Sequence, residues 1–287
     1  MASTIWKERR ISYHIEGVGP TVVLVNGLFQ SSSSWERVRD ALASRYEVIA
    51  IDLPNQWESD DYPDIRSAEQ YADFLTDFVA SLGYRCEESV FIGFSFGASL
   101  LLRLSLLRQK VFKGLLLVCP VPIRYEAFFE QIYELNLYKF ATGGVFTLAA
   151  SLMPEMYSAE FINANPGMLA MSVKWFENAY ERRMDALRAL LSAGQPWAPA
   201  EELLATVPNY PIFVYEAAKE RNFPRGALKP LASSLGAEYV EVDGGHMLMV
   251  ERPEELSLLF ETALDSIVLL AQHTGETTSR PSTELNA

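Results

Sequence analysis

The chain has 287 residues, 49% of them hydrophobic and 21% charged, with 24 Lys and Arg against 37 Asp and Glu, so its formal net charge is −13. That length and apolar content supply a sizeable core and exclude a disordered chain. The acid excess argues against nucleic acid, whose binders replace phosphate counterions with basic side chains, and against docking on anionic lipid.

Taken in chain order, Ile5–Glu16 (IWKERRISYHIE) reads as an antiparallel hairpin at a sheet edge. Thr21–Asn26, Glu47–Asp52, Ser89–Gly93, Gly114–Cys119 and Ile212–Tyr215 are continuous aliphatic runs, the pattern of strands covered on both faces in a parallel sheet. Amphipathic stretches alternate with them at Ser34–Ser44, Ser67–Leu82, Gly97–Leu107 and Pro253–Leu270. Ser34 is the expected N-cap of the first, and Pro253 suits the first turn of the last. The alternation predicts an α/β fold with a mostly parallel sheet flanked by helices. Between about Pro120 and Tyr210 no strand pattern occurs, and the composition turns aromatic and Met-rich, which predicts a helical insertion. The expected organisation is therefore a core of residues 1–120 and 210–271, an insertion of residues 121–209, and an unstructured tail over 272–287.

No apolar run approaches the roughly 18 residues of a membrane-spanning helix. The opening MASTIWKERR lacks the apolar core of a secretory signal. Two cysteines, Cys86 and Cys119, make neither a disulfide framework nor a four-ligand zinc site, so two reduced thiols in a cytoplasmic protein and no metal are expected.

Gly93-Phe94-Ser95-Phe96-Gly97 follows a strand-like run and opens a helix-like one. In that context G-x-S-x-G puts a serine on a tight turn with its oxygen exposed, beside backbone N–H groups at a helix start. A serine nucleophile needs a base. His14 lies in the N-terminal strand and His273 in the polar tail, leaving His246 in Asp243-Gly244-Gly245-His246, just after the strand-like Glu238–Val242. The base needs a carboxylate to hold its tautomer. The loop after Ile212–Tyr215 offers Glu220, with Glu216 as the competitor nearer the strand. Asn26-Gly27-Leu28-Phe29 follows the first central strand, so the N–H groups of Leu28 and Phe96 are the expected oxyanion donors. Asn26, Phe29, Phe94, Trp57 and Met247 are the side chains expected to line the adjoining pocket.

Four motifs occur in order: the Asn-Gly turn at 26–27, Asp52-Leu53-Pro54 with Ser59, the Ser95 turn, and DGGHMLMVERPEEL at 243–256. With these the chain resembles the α/β-hydrolase superfamily over roughly residues 10–270. Asn26-Gly27-Leu28 with Ser31–Trp35 also resembles the branch of hydroxyacyl transferases that use acyl-carrier-protein or coenzyme-A thioesters for rhamnolipid and polyhydroxyalkanoate precursors. The resemblance implies that the insertion is a helical lid, roofed by Tyr125, Phe128, Phe129, Tyr133, Tyr138, Phe140, Trp175 and Phe176 with Met153, Met156, Met168 and Met171. The chain departs from the family at Glu220, where Asp is usual, at Ala217, where Gly is usual, and at Trp57, which either narrows the pocket mouth or packs on the insertion.

The implied activity is a serine hydrolase, without cofactor, acting on a small ester or thioester of a hydrophobic acyl group. The alternatives are an acyltransferase or cyclase with the same groups and a non-water acceptor, or a ligand-binding homologue with little turnover. An acyl carrier protein is acidic and would be repelled by the net charge at long range, unless a basic run such as Arg103, Arg108, Lys110 and Lys113 gathers at the mouth.

Overall fold

The computed structural model describes residues 1–123, 125–195, 201–206 and 209–276. Among these, one sheet contains β1 (Ala2–Trp6), β2 (Arg9–Glu16), β3 (Thr21–Val25), β4 (Glu47–Ile51), β5 (Val90–Phe94), β6 (Gly114–Val118), β7 (Ile212–Ala217) and β8 (Glu238–Val242). Their spatial order is β1-β2-β4-β3-β5-β6-β7-β8. The pairs from β4 to β8 are parallel, whereas β1–β2 and β2–β4 are antiparallel. The chain steps from β3 to β4 on one side and later returns to β5 on the other. The carboxyl ends of β3 and β5 therefore lie side by side, at the crevice where open α/β sheets place ligands.

β5, β6 and β7 are buried at every position, which accounts for the unbroken apolar runs of β5 and β6 and of β7 as far as Tyr215. Alternation along β3 divides the core: Val23 and Val25 face a layer containing Phe74, Phe78 and Leu101, while Val22 and Leu24 face one containing Trp35, Leu42 and Phe260. The helices making these layers are α1 (Glu36–Leu42), α2 (Ala68–Ser81), α3 (Phe96–Leu107) and, after β8, α10 (Leu248–Glu251) and α11 (Pro253–Glu276), with α9 (Lys229–Leu235) between β7 and β8. Between β6 and β7 come α4 (Glu126–Met156), α5 (Ala159–Ala164), α6 (Met168–Tyr180), α7 (Met184–Ala193) and α8 (Glu201–Leu204), and no strand among the described residues. The path of α4 breaks at Gly144 (φ 68°, ψ −160°), so it forms two arms.

Three local expectations change. Ser34 caps nothing: Ser31 accepts the Ser33 N–H and caps a 3₁₀ turn over Ser32–Trp35, and α1 begins only at Glu36. The last helix runs on to Glu276, into the stretch expected to be unstructured, and residues 277–287 lie outside the described set. β7 extends through Ala217, which puts Glu216 inside the strand. Cys86 and Cys119 are both buried free thiols. No helix of the described residues is long and apolar enough to cross a membrane.

At the start of α2 the Ser67 hydroxyl accepts the Gln70 N–H (3.3 Å) and the Gln70 side chain accepts the Ser67 N–H (3.1 Å), a reciprocal capping box. Ser67→Ala is expected to cost about 1 kcal/mol. In urea melts this lowers the midpoint at unchanged slope.

Candidate active site

β5 ends at Phe94 and α3 begins at Phe96, leaving Ser95 alone to turn the chain at φ 51°, ψ −113°. A non-glycine residue there costs about 1–3 kcal/mol and persists only when its surroundings hold it. Here the Ser95 N–H donates to the Val118 carbonyl (2.8 Å), and the Ser95 carbonyl accepts the Ser99 N–H (3.0 Å). Glycine at 97 lets helix and strand close: a β-carbon there would lie 2.3 Å from the Val25 carbonyl oxygen. The first N–H groups of α3 have no intrahelical partner and, with the helix dipole, favour negative charge beside Ser95.

His246 follows β8, on a loop whose Gly244 carbonyl accepts the Lys219 N–H (2.9 Å), while the Gly245 N–H donates to Glu251 (3.0 Å) and the Met247 N–H to the Met156 carbonyl (3.0 Å). Glu251 also accepts the Ser158 N–H (2.7 Å) and hydroxyl (2.6 Å), so the loop is tied to the end of α4. The imidazole packs on Phe94, with ring centroids 4.8 Å apart. Its Nδ1 lies 2.5 Å from Glu220 Oε2, and the Glu220 side chain is wholly buried. The other Glu220 oxygen accepts the N–H groups of Arg221 (2.9 Å) and Asn222 (3.0 Å) and the Asn222 side-chain amide (2.8 Å). Burial pushes this carboxyl up, but the His246 charge and the hydrogen bonds from His246 and Asn222 outweigh it and hold the group below its ordinary range. An ionised carboxylate is an acceptor only, which fixes a proton on Nδ1 and leaves Nε2 as the ring nitrogen not engaged by Glu220.

Glu216 is occupied elsewhere. From β7 it accepts the N–H groups of Gly226 and Leu228 (2.9 Å) and the Tyr239 hydroxyl (3.1 Å), closing the loop before α9. His14 lies on β2, across the sheet from His246, and the side chain of His273 is outside the described set. Cys119 completes a trio whose sulfur, Glu220 oxygen and His246 nitrogen lie within 4.8 Å of one another. Metals take thiolate, whereas burial and the Glu220 charge push the Cys119 thiol well up, and Glu220 and His246 already bond each other. The trio suits proton transfer better than metal binding.

The loop after β3 passes directly over Ser95: a β-carbon on Gly27 would meet Phe94 Cδ1 at 2.9 Å and Ser95 Cβ at 3.3 Å. Asn26 is wholly buried and turned away from the cavity, its amide donating to the Ile51 carbonyl (2.9 Å). Further along, buried Asp52 accepts the N–H groups of Ser32 (2.6 Å) and Glu58 (3.3 Å), joining this loop to the one after β4. Burial raises the Asp52 carboxyl despite these bonds.

Ser95, His246, Leu28, Phe29, Phe94 and Phe96 border one cavity of about 230 Å³. Phe129, Ile132 and Tyr133 from one arm of α4 and Leu152, Met153 and Met156 from the other form much of its wall, with Ser99, Arg103, Asn136 and Asn222 as polar members. Of the other expected roof residues, Phe176 is buried against Phe29 and Tyr180, Tyr125 and Phe140 pack on the core, and Phe128, Tyr138, Met171 and Trp175 are exposed. Trp57, Met168 and Met247 border a separate groove rather than this cavity. The Trp57 indole N–H is turned inward to the Phe29 carbonyl (2.9 Å), and Met247 is buried in the core. Arg103 pairs with Glu69 and Arg108 with Asp73 (3.2 Å), so α2 carboxylates balance the basic run at these two positions. Asn222, Glu251 and Asp52 are contributors that the sequence reading did not assign to the site.

The profile described as the Alpha/beta hydrolase family matches residues 22–257. The chain belongs to that family. An uncharacterized protein of Mycobacterium tuberculosis is 29% identical over 109 residues, which is 38% of this chain and only 31% of that longer protein. Pyrrolizixenacetamide deacetylase of Xenorhabdus hominickii is 23% identical over 268 residues, 90% of this chain and 95% of the relative. A thermophilic esterase from Thermogutta terrifontis superposes with a TM-score of 0.78 at 20% identity, covering 92% of this chain and 97% of the other.

A carboxyl held low contributes stability that is complete above about pH 4.3, the ordinary glutamate value, and is lost as pH falls through its lower folded value. Glu220→Gln removes that dependence. Melting curves of the variant and the parent protein are expected to differ at neutral pH and to converge on acidification.

Proposed function

We propose that the protein is a serine hydrolase that cleaves an ester or thioester of a hydrophobic acyl group through an acyl-enzyme on Ser95. The observation that carries this reading is the strained Ser95, opening into the same cavity as an imidazole already hydrogen-bonded to a buried carboxylate. In the first step Ser95 Oγ attacks the carbonyl carbon and its proton passes to His246 Nε2. Glu220 stabilises the imidazolium that forms, and the N–H groups of Leu28 and Phe96 receive the developing oxyanion. His246 returns the proton to the departing alcohol or thiol. Water then repeats the sequence on the acyl-enzyme and releases the acid. This chemistry asks for no cofactor.

Residues 121–209 act as a lid over a core of residues 1–120 and 210–271. Support for the apolar acyl group comes from the Phe, Ile, Leu and Met side chains that both arms of α4 present to the cavity. The Xenorhabdus relative is named a deacetylase and the Thermogutta structure an esterase, and both names denote release of an acyl group.

Ser95→Ala is expected to lower kcat by about 10⁴-fold or more with an unchanged circular dichroism spectrum. A fluorophosphonate should add once to the parent protein at Ser95, by peptide mass, and not to the variant. Turnover near the parent level in Ser95→Ala overturns the mechanism. Across p-nitrophenyl esters of increasing chain length, kcat/KM should rise up to about fourfold per methylene, from about 0.8 kcal/mol each, until the cavity is filled. A flat or falling series overturns the apolar acyl site.

A further inference from the structure

The segment 26–32 that crosses Ser95 is held at its ends by Asn26 to the Ile51 carbonyl and by Asp52 to the Ser32 N–H. Its middle is less secure. Phe29 sits at φ 64°, in the left-handed region, and the turn over it closes through two long bonds, from the Gln30 N–H to the Gly27 carbonyl and from the Asn26 amide to the Gln30 carbonyl (3.4 Å each). A non-glycine residue there is strained and keeps its conformation where its surroundings hold it, and a rotation about its φ would re-aim the preceding segment that carries the Leu28 N–H.

What holds it is a relay from the helical insertion. Arg183, between α6 and α7, donates to the carbonyls of Trp57 (2.7 Å) and Ser59 (2.8 Å) and to Asp61 (2.6 Å). Trp57, itself at φ 42°, donates its indole N–H to the Phe29 carbonyl (2.9 Å). The other side of the turn rests on the same insertion. The Phe29 ring meets those of Phe176 and Tyr180 edge-on at 5.2 and 6.1 Å, and a β-carbon on Gly194, at the end of α7, would lie 2.4 Å from Leu28 Cδ1.

We infer that Trp57 is a positioning residue: locked by Arg183, its indole N–H fixes the Phe29 peptide and so aims the Leu28 N–H at the oxyanion. The insertion thereby organises the stabilisation of charge as well as covering the cavity. This rests on the acyl-enzyme reading of Ser95. A hydrogen bond that aims a donor matters in the transition state and little to the bound ester, so its loss lowers kcat and leaves KM nearly unchanged.

The test uses the full chain with Trp57→Phe, which keeps an aromatic ring and deletes the N–H, and with Arg183→Gln, which breaks the relay one step earlier. Removing an oxyanion donor outright costs about 10²–10³-fold in kcat, so misaiming one should cost about 10–100-fold in Trp57→Phe, with KM within threefold. Arg183→Gln should lower kcat in the same direction, and the double variant should be no slower than the slower single one, because both changes break one relay. A boronic acid that mimics the tetrahedral adduct should bind each variant more weakly in proportion to its kcat loss, while the carboxylic acid product binds unchanged. If Trp57→Phe keeps kcat within twofold, or if boronic and carboxylic acid affinities fall together, the inference is overturned. Should Trp57→Phe fail to fold, Arg183→Gln decides by the same two readouts. Ser95→Ala in parallel separates the failures: a dead Ser95→Ala beside a fully active Trp57→Phe sinks the relay alone, whereas an active Ser95→Ala sinks the mechanism on which it rests.

Discussion

A serine at φ 51°, ψ −113° stays there only because β5, α3 and the end of β3 are closer together than side chains normally permit. Gly97 lies against the Val25 carbonyl and Gly27 against Ser95 itself, so the turn is clamped by backbone from two directions. The groups around Ser95 follow from that clamp. The segment after β3 can cross above the serine because Gly27 leaves no side chain between them. The N–H groups of α3 face the serine because its helix begins one residue later. The strain is local, while the packing that maintains it extends through two fully buried strands.

A second level of organisation comes from carboxylates that make no contact with the cavity. Asp52 draws the loops after β3 and β4 together, Glu251 brackets the His246 loop against Ser158, and Glu216 closes the loop on which Glu220 turns back. Each of these carboxylates accepts from backbone N–H groups, which lessens the cost of its desolvation and specifies one loop conformation. Part of the acid excess of the chain is thus structural rather than superficial.

Much of this was legible in the sequence because it is written locally. The apolar runs of β3 to β7 and the G-x-S-x-G pattern at Ser95 each depend on neighbours within a few positions. His246 was reached through its glycine loop after a strand, and Glu220 through its distance from β7. Legibility ended where geometry depends on distant partners. The inward turn of Asn26 follows from a carbonyl on β4, and the burial of Glu216 from two extra strand residues in β7. Trp57 is conspicuous as a departure from the resembled family, but which of its readings applies depends on Arg183, more than a hundred residues away. The cap expected at Ser34 is displaced for a similar reason: Asp52 holds the Ser32 N–H, so the cap falls three residues earlier, at Ser31, and opens a 3₁₀ turn over Ser32–Trp35.

The placement of β8 has a consequence for how the molecule loses function. Among the described residues it is an edge strand, paired only with β7, with no buried residue before Val242, and the loop bearing His246 starts directly after it. Ser95, by contrast, hangs from the centre of the sheet. Edge elements open at lower free energy than central ones. On warming, the loop that carries His246 is therefore expected to open while the turn at Ser95 is still intact.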